Sequence, residues 1–269
     1  MIKSKLYVNY LPERRDQTKR RKKMQLTGPK IKEIMEKPNP ENPNNSPNIV
    51  IEPFFEECLG SNSYDLHLAP VLKVYKHTIP QGMKPVIEYD TNKPLSEYSM
   101  RDWFETYLAY EDYTLRPHLY DQRNPKFLLD PAKKTEISEI KMPLSGVILN
   151  PLIGYLGSTV EYTKTYNLFP YIDGKSSTGR NFILNHHTAG RGDDGFVGHW
   201  TLEIHTLYPT VVYPGMRIGQ IYYEEFEGAR KPYYLNPASH YKNQKDATPA
   251  APVPVDACII QFLRKQQQL

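Results

Sequence analysis

The string Asp173-Gly-Lys-Ser-Ser-Thr-Gly-Arg180 holds the densest set of groups in the chain that could do chemistry. Its glycines and small hydroxyl residues let backbone N–H groups approach a phosphate. Lys175 and Arg180 add positive charge, the arginine as a forked donor. It is not a Walker A loop, because position 169, where the first glycine would fall, is Phe. Taken alone, the string also reads as a Ser-rich structural turn. Further along, Val197–His205 (VGHWTLEIH) alternates as a strand does: Trp200, Leu202 and Ile204 share one face, and His199, Thr201, Glu203 and His205 share the other. A strand that presents a carboxylate near a phosphate-binding string suggests a lined pocket. The alternative is a solvent face that happens to carry Glu and His. Between the two lies Asn185-His-His-Thr-Ala-Gly-Arg-Gly-Asp-Asp-Gly-Phe196. Its adjacent histidines would point opposite ways in a strand, which makes a poor chelating pair.

The elements that must hold these groups are short and extended. Twenty-four prolines and 21 tyrosines favour strands and turns over long helices. Strands are expected at Asn48–Ile51, Ser63–Leu68, Pro70–Tyr75, Gly146–Leu149, Ile153–Val160, Gly198–Leu207, Thr210–Tyr213 and Gly219–Phe226, the pattern of an all-β barrel or sandwich. A short amphipathic helix is expected at Lys30–Lys37, after Thr27-Gly28-Pro29. Residues 76–141 read as an elaborated insertion, with Met100, Trp103, Phe104, Tyr107 and Leu108 on one helical face as packing. Residues 228–254 read as an ordered or ligand-closing tail, and Cys258–Leu263 as a last helical turn or strand.

Composition narrows the function. With 269 residues and 39% hydrophobic content there is enough for one large domain or two small ones. No run of 18 apolar residues suggests a membrane span, and the basic N-terminus lacks the apolar stretch of a secretory signal. Two cysteines, Cys58 and Cys258, leave neither a disulfide framework nor a cysteine-based zinc site. A cytoplasmic protein is therefore expected, or one of the host cytoplasm if the chain is viral. Residues 1–23 carry nine Lys and Arg against Glu13 and Asp16, a balance of +7, which leaves −3 on the rest. This basic arm is read as a solvated tail, since no aromatic interleaving supports nucleic-acid binding.

At several ordered motifs the chain resembles the dCTP deaminase branch of the dUTPase superfamily. The motifs are Gly174-Lys-Ser-Ser-Thr-Gly-Arg180, His186-His-Thr-Ala-Gly190, Asp193-Asp-Gly-Phe-Val-Gly198, Thr201-Leu-Glu203 and Tyr213-Pro-Gly-Met-Arg-Ile-Gly-Gln220. Gly60-Ser-Asn-Ser-Tyr-Asp-Leu-His-Leu68, Gly146-Val-Ile-Leu-Asn-Pro151 and Leu156-Gly-Ser-Thr-Val-Glu161 are similar to its early strand and following hairpin. Lys231-Pro-Tyr233 and His240-Tyr-Lys-Asn-Gln244 are similar to its closing tail. The resemblance spans residues 24–249, leaving much of 76–141 outside, between the arm (1–23) and a C-terminal tail (250–269). It implies a mainly β, dUTPase-like distorted barrel of jelly-roll character with a few short helices. It also implies a homotrimer with active sites at subunit boundaries.

The activity implied is zinc-independent hydrolysis of dCTP to dUTP and ammonia. Its catalytic set is Glu203 as proton shuttle, Ser176 and the Ala189 carbonyl positioning the water and the amino group, and Arg180. The substrate-binding set is Lys175, Ser176, Ser177, Thr178, Gly179, Arg180, Thr188, Asp193, Thr201, Leu202, Glu203, Gln220, Tyr233, His240 and Gln244. Among these, Asp193 would face the deoxyribose and Thr201 the base edge. Mg²⁺ would ride on the triphosphate, with no metal held by the protein, and dTTP is a candidate feedback inhibitor. The alternative is a bifunctional enzyme that carries dCTP on to dUMP and pyrophosphate; a further reading is a non-catalytic nucleotide-binding regulator. The chain departs from the family pattern in four places: Gly192 and Asp194 around Asp193, His67 for an arginine, His240 for a lysine, and Lys245-Asp246-Ala247 without a glycine.

Overall fold

A computed structural model describes residues 24–76, 79, 84–98, 129–151, 153–253 and 256–267. The basic arm and the aromatic helical face of 100–108 lie outside the described residues. Twelve short strands and three short α-helices are present among the described residues, so the architecture is mainly β, as the turn spacing implies. In chain order the strands are β1 (Ile49–Glu52), β2 (Tyr64–His67), β3 (Val71–Tyr75), β4 (Val86–Glu88), β5 (Ile137–Lys141), β6 (Val147–Leu149), β7 (Tyr155–Thr165), β8 (Phe169–Gly174), β9 (Ile183–Leu184), β10 (Val197–Thr206), β11 (Thr210–Val212) and β12 (Arg217–Glu224). The helices are α1 (Gly28–Met35), α2 (Ser176–Arg180) and α3 (Ala257–Gln267).

Among the described residues the strands form three antiparallel sheets. The largest runs β5-β3-β7-β10-β9, with β1 also paired to β7; the others run β11-β6-β4 and β2-β12-β8. β10 alternates half-buried and buried along its whole length, so Trp200, Leu202 and Ile204 enter the core while Thr201 and Glu203 face outward. One continuous core joins all three sheets, with Ile49, Leu66, Leu72, Leu149, Leu202 and Val212 all buried. Burial of such side chains contributes about 1.5–3 kcal/mol each.

Several elements differ from the sequence expectation. β8 has no counterpart in it, because Pro170 argues against a strand. The proline is accommodated because β8 is the edge of its sheet: its ladder is with β12, and its other side makes only an isolated bridge, Tyr171 to Arg191, where the Pro170 carbonyl accepts the Gly192 N–H (2.8 Å). Part of residues 76–141 belongs to the sheets: β5 pairs with β3 and β4 with β6. The string after Gly174 is a helix, α2, rather than an open turn. The Thr178 hydroxyl accepts the Lys175 N–H (3.1 Å) and donates to the Lys175 and Ile218 carbonyls (2.8 and 3.2 Å). His186 and His187 lie outside any strand, in the turn-rich stretch that the sequence suggests. The C-terminal run is helical from Ala257 to Gln267.

Two buried phenols make the fold sensitive to alkali. Tyr155 accepts the Asn150 N–H (2.7 Å) and donates to the Pro85 carbonyl, and Tyr223 is fully buried. Burial raises both phenol pKa values above the usual range. The folded state therefore keeps its protons where the unfolded chain loses them, so this stability is complete below about pH 10 and is lost above it. Each phenol should cost about 1.4 kcal/mol per pH unit there. Melting temperatures measured from pH 9 to 11 should fall, and Tyr155→Phe should fall less steeply; a slope equal to wild type would show that this phenol does not contribute.

Candidate active site

The polar face of β10 opens into a cavity of about 530 Å³. Its wall includes Glu203 and Thr201 from β10, Leu156 from β7 and Tyr75 from β3. The segment after β9 contributes His186, Ala189 and Asp193, and the tail contributes Tyr233, His240, Tyr241, Gln244 and Thr248. Phe196 and Trp200 pack at 4.4 Å between ring centres and form the apolar side, with Tyr233 next to them.

Glu203 is held by the bend that precedes it in the wall. Its N–H donates to the Asn185 carbonyl (2.9 Å), and its Oε2 accepts the His187 N–H (3.0 Å). Among the described residues Oε1 has no hydrogen bond, so the carboxylate is oriented through one oxygen while the other is available. His205, two residues along the same face, is tied away, with Nε2 donating to the Pro151 carbonyl (3.0 Å). The bend itself is fixed by a close approach. A side chain at Gly190 would meet the Ile172 carbonyl at 2.3 Å and the His186 ring at 3.0 Å, so only glycine fits beside Ala189.

Asp193 and Asp194 take different parts. Asp193 is exposed and lines the cavity. Asp194 is buried; its carboxylate receives the Arg230 guanidinium (2.9 and 3.1 Å) and the Asn167 N–H (2.7 Å). These hydrogen bonds hold the Arg230 pKa above its usual value. Aspartate at 194 thus ties the start of the tail to the β7–β8 turn. The other departure in this turn is also explained: a side chain at Gly192 would meet the Trp200 ring at 2.2 Å, so the indole fills that space.

Of the residues expected at the site, Ala189, Asp193, Thr201, Glu203, Tyr233, His240 and Gln244 line this cavity. Lys175, Ser176, Ser177, Thr178, Gly179, Arg180, Thr188, Leu202 and Gln220 do not. The Leu202 side chain is in the core, so it offers a ligand no side-chain contact. The Thr178 hydroxyl is spent inside α2. Gln220 is a strut, donating to the Gly174 carbonyl (3.1 Å) and accepting from the Ser63 hydroxyl (2.9 Å). The Thr201 hydroxyl donates to Gln244 Oε1 (2.8 Å) and accepts the Thr248 N–H (3.0 Å), so tail residues occupy the group expected to read a base edge. Ser176, Ser177 and Arg180 are exposed on α2, and Lys175 pairs with Asp65, which Arg217 also contacts at 3.3 Å. Sequence reasoning missed Tyr75 and Thr248, which sit in no local motif, and Tyr241, which the closing-tail motif contains. It missed His186 as a wall residue although a motif contains it.

Among the described residues no three His, Cys, Asp or Glu side chains are grouped to hold a metal ion. No helix among them is long and apolar enough to cross a membrane.

The chain is similar to proteins named "dCTP deaminase, dUMP-forming". That of Clostridium beijerinckii is 34% identical over 203 residues, covering 76% of this chain and 87% of the relative. That of Hathewaya histolytica is 31% identical over 227 residues, covering 84% and 96%. That of Leptospira biflexa is 41% identical over 138 residues, covering 51% and 79%. A solved structure, the 2'-deoxycytidine 5'-triphosphate deaminase of Agrobacterium tumefaciens, aligns with 76% of this chain and 49% of its own at 17% identity and a TM-score of 0.45. The sequence profile of the dCTP deaminase-like family matches residues 25–226, and with it the chain belongs to that family.

Proposed function

We propose that this protein converts dCTP and two waters to dUMP, ammonia and pyrophosphate. The observation that carries the reading is Glu203, a carboxylate held by one oxygen in the wall of a cavity large enough for a nucleoside. Deamination needs water to attack cytosine C4 and the departing nitrogen to gain a proton. One carboxyl that takes the water's proton and delivers it to the nitrogen does both, after which ammonia leaves and the C4 oxygen remains. The exposed Ala189, in the same wall, would direct its carbonyl at the amino group, and Ser176 would place the water. Tyr233, His240 and Gln244 would close over the nucleotide from the tail, and Asp193 would face the sugar.

Two products were expected from the sequence, dUTP or dUMP. The names of the relatives support dUMP, so the second hydrolysis, releasing pyrophosphate, is part of the proposal. In that step a second water attacks the α-phosphorus and the pyrophosphate oxygen leaves.

The residues expected to hold the triphosphate do not line the cavity of their own chain, which supports a homotrimer in which a neighbouring copy brings Lys175, Ser176, Ser177 and Arg180 to it. A Mg²⁺ carried by phosphate oxygens needs no dedicated protein cage, which fits the side chains present, and it would neutralise triphosphate charge when bound. dTTP, with a pyrimidine and the same triphosphate, would compete for this cavity. We take the place of action to be the cytoplasm. Incubation with dCTP and Mg²⁺, assaying ammonia and pyrophosphate together, should give equal amounts of both. Ammonia with dUTP accumulating would leave only the deaminase, and bound dCTP with neither product would mean a regulator.

A further inference from the structure

One wall of the cavity is a strap, residues 244–250, which runs across β10 and β3 rather than forming a strand of either. Thr201 binds it at two points, through Gln244 and the Thr248 N–H. The Ala250 N–H donates to the Tyr75 hydroxyl (3.0 Å), and Ala247 is buried beneath. Between these ties Asp246 Oδ2 accepts from Lys73 Nζ at 2.9 Å. The two partners differ in setting: the Lys73 side chain is 7% exposed and that of Asp246 is 60% exposed. The cross-strand neighbour of Lys73, Glu139, has its nearest oxygen at 3.5 Å. With the strap docked, a nearly buried ammonium has a carboxylate at hydrogen-bond distance. With the strap away, that partner is lost and the longer contact to Glu139 remains.

We propose that Lys73 is a positioning residue that docks the strap through Asp246 before any nucleotide arrives, so that Gln244 and Thr248 stand in the cavity wall in the resting protein. Lys73 and Tyr75 lie on the same face of β3, two residues apart; Lys73 holds the strap within its length, at Asp246, and Tyr75 holds its end, at Ala250. Lys73 itself does not line the cavity. The proposal rests on the reading that this cavity takes dCTP.

The test uses the full chain with Asp246→Asn, which alters only an exposed carboxylate, and with Lys73→Met and Lys73→Arg. Losing a hydrogen bond to a charged group and leaving the closed strap partly populated should raise KM for dCTP about ten-fold with kcat within about two-fold. In the nucleotide-free protein, amide exchange at Asn243, Thr248 and Ala250 should quicken about ten-fold. Lys73→Arg should restore both readouts. A purely structural Lys73 would instead lower folded yield and kcat in Lys73→Met and leave Asp246→Asn silent. Wild-type KM and wild-type exchange in Asp246→Asn would overturn the proposal. If the wild-type protein releases no ammonia from dCTP, the functional reading falls, and the exchange rates alone decide the strap.

Discussion

Glu203→Gln should lower ammonia release from dCTP by about 10³-fold while dCTP binding stays within a few-fold of wild type. The substitution keeps the shape of the side chain, and its carbonyl oxygen can still accept the His187 N–H that orients Glu203 at 3.0 Å. What it removes is the capacity to accept a proton from water and return it to the leaving nitrogen. Calorimetric titration with dCTP beside an ammonia assay separates the two. Near-wild-type ammonia release would end the assignment of Glu203 as proton shuttle. A loss of binding equal to the loss of rate would make it a ligand-holding residue instead.

The second large effect is expected at His67, far from the cavity. Glu161 on β7 is completely buried, and both of its oxygens are used by one residue of β2: the His67 Nδ1–H donates to Oε1 and the His67 backbone N–H to Oε2 (2.9 Å). The ring's other nitrogen lies 3.6 Å from Cys58 Sγ, whose thiol pKa burial pushes up. Because β2 and β7 belong to different sheets, this pair joins them. His67→Leu leaves a buried carboxylate with one backbone donor, and breaking a buried pair from one side costs about 3–5 kcal/mol. Urea unfolding should show a loss of that size. Much of it should return in His67→Leu/Glu161→Leu, where no charge is left buried. A loss below about 1 kcal/mol in the single variant would mean the pair does not hold the sheets together.

The same residues mark how far the sequence could be read. The alternation of Val197–His205 told which side chains of β10 enter the core and which face away from it, because a strand puts successive side chains on opposite faces whatever surrounds it. Motif order was equally legible, since the family's residues recur along this chain at compatible spacing. The part played by Asp194 was not. It was visible only as a departure from the family pattern, and its meaning depends on Arg230, 36 residues on, and on the turn at Asn167. Gly192 was likewise legible only as a departure; its reason is the Trp200 ring, which fills the space beside it.

Local pattern therefore determined the β architecture and the polar face of β10 on which Glu203 stands, because each follows from spacing within a few residues. Tertiary structure decided which polar groups are free to act. It took Thr178 and Gln220 into the framework, engaged Thr201 with the strap, and set α2 apart from the cavity of its own chain. It also brought Lys73 to Asp246 across 173 positions. A hydrogen-bonding group can serve a ligand only if the fold has not already given it a partner, and partners so distant in sequence meet only once the sheets have packed.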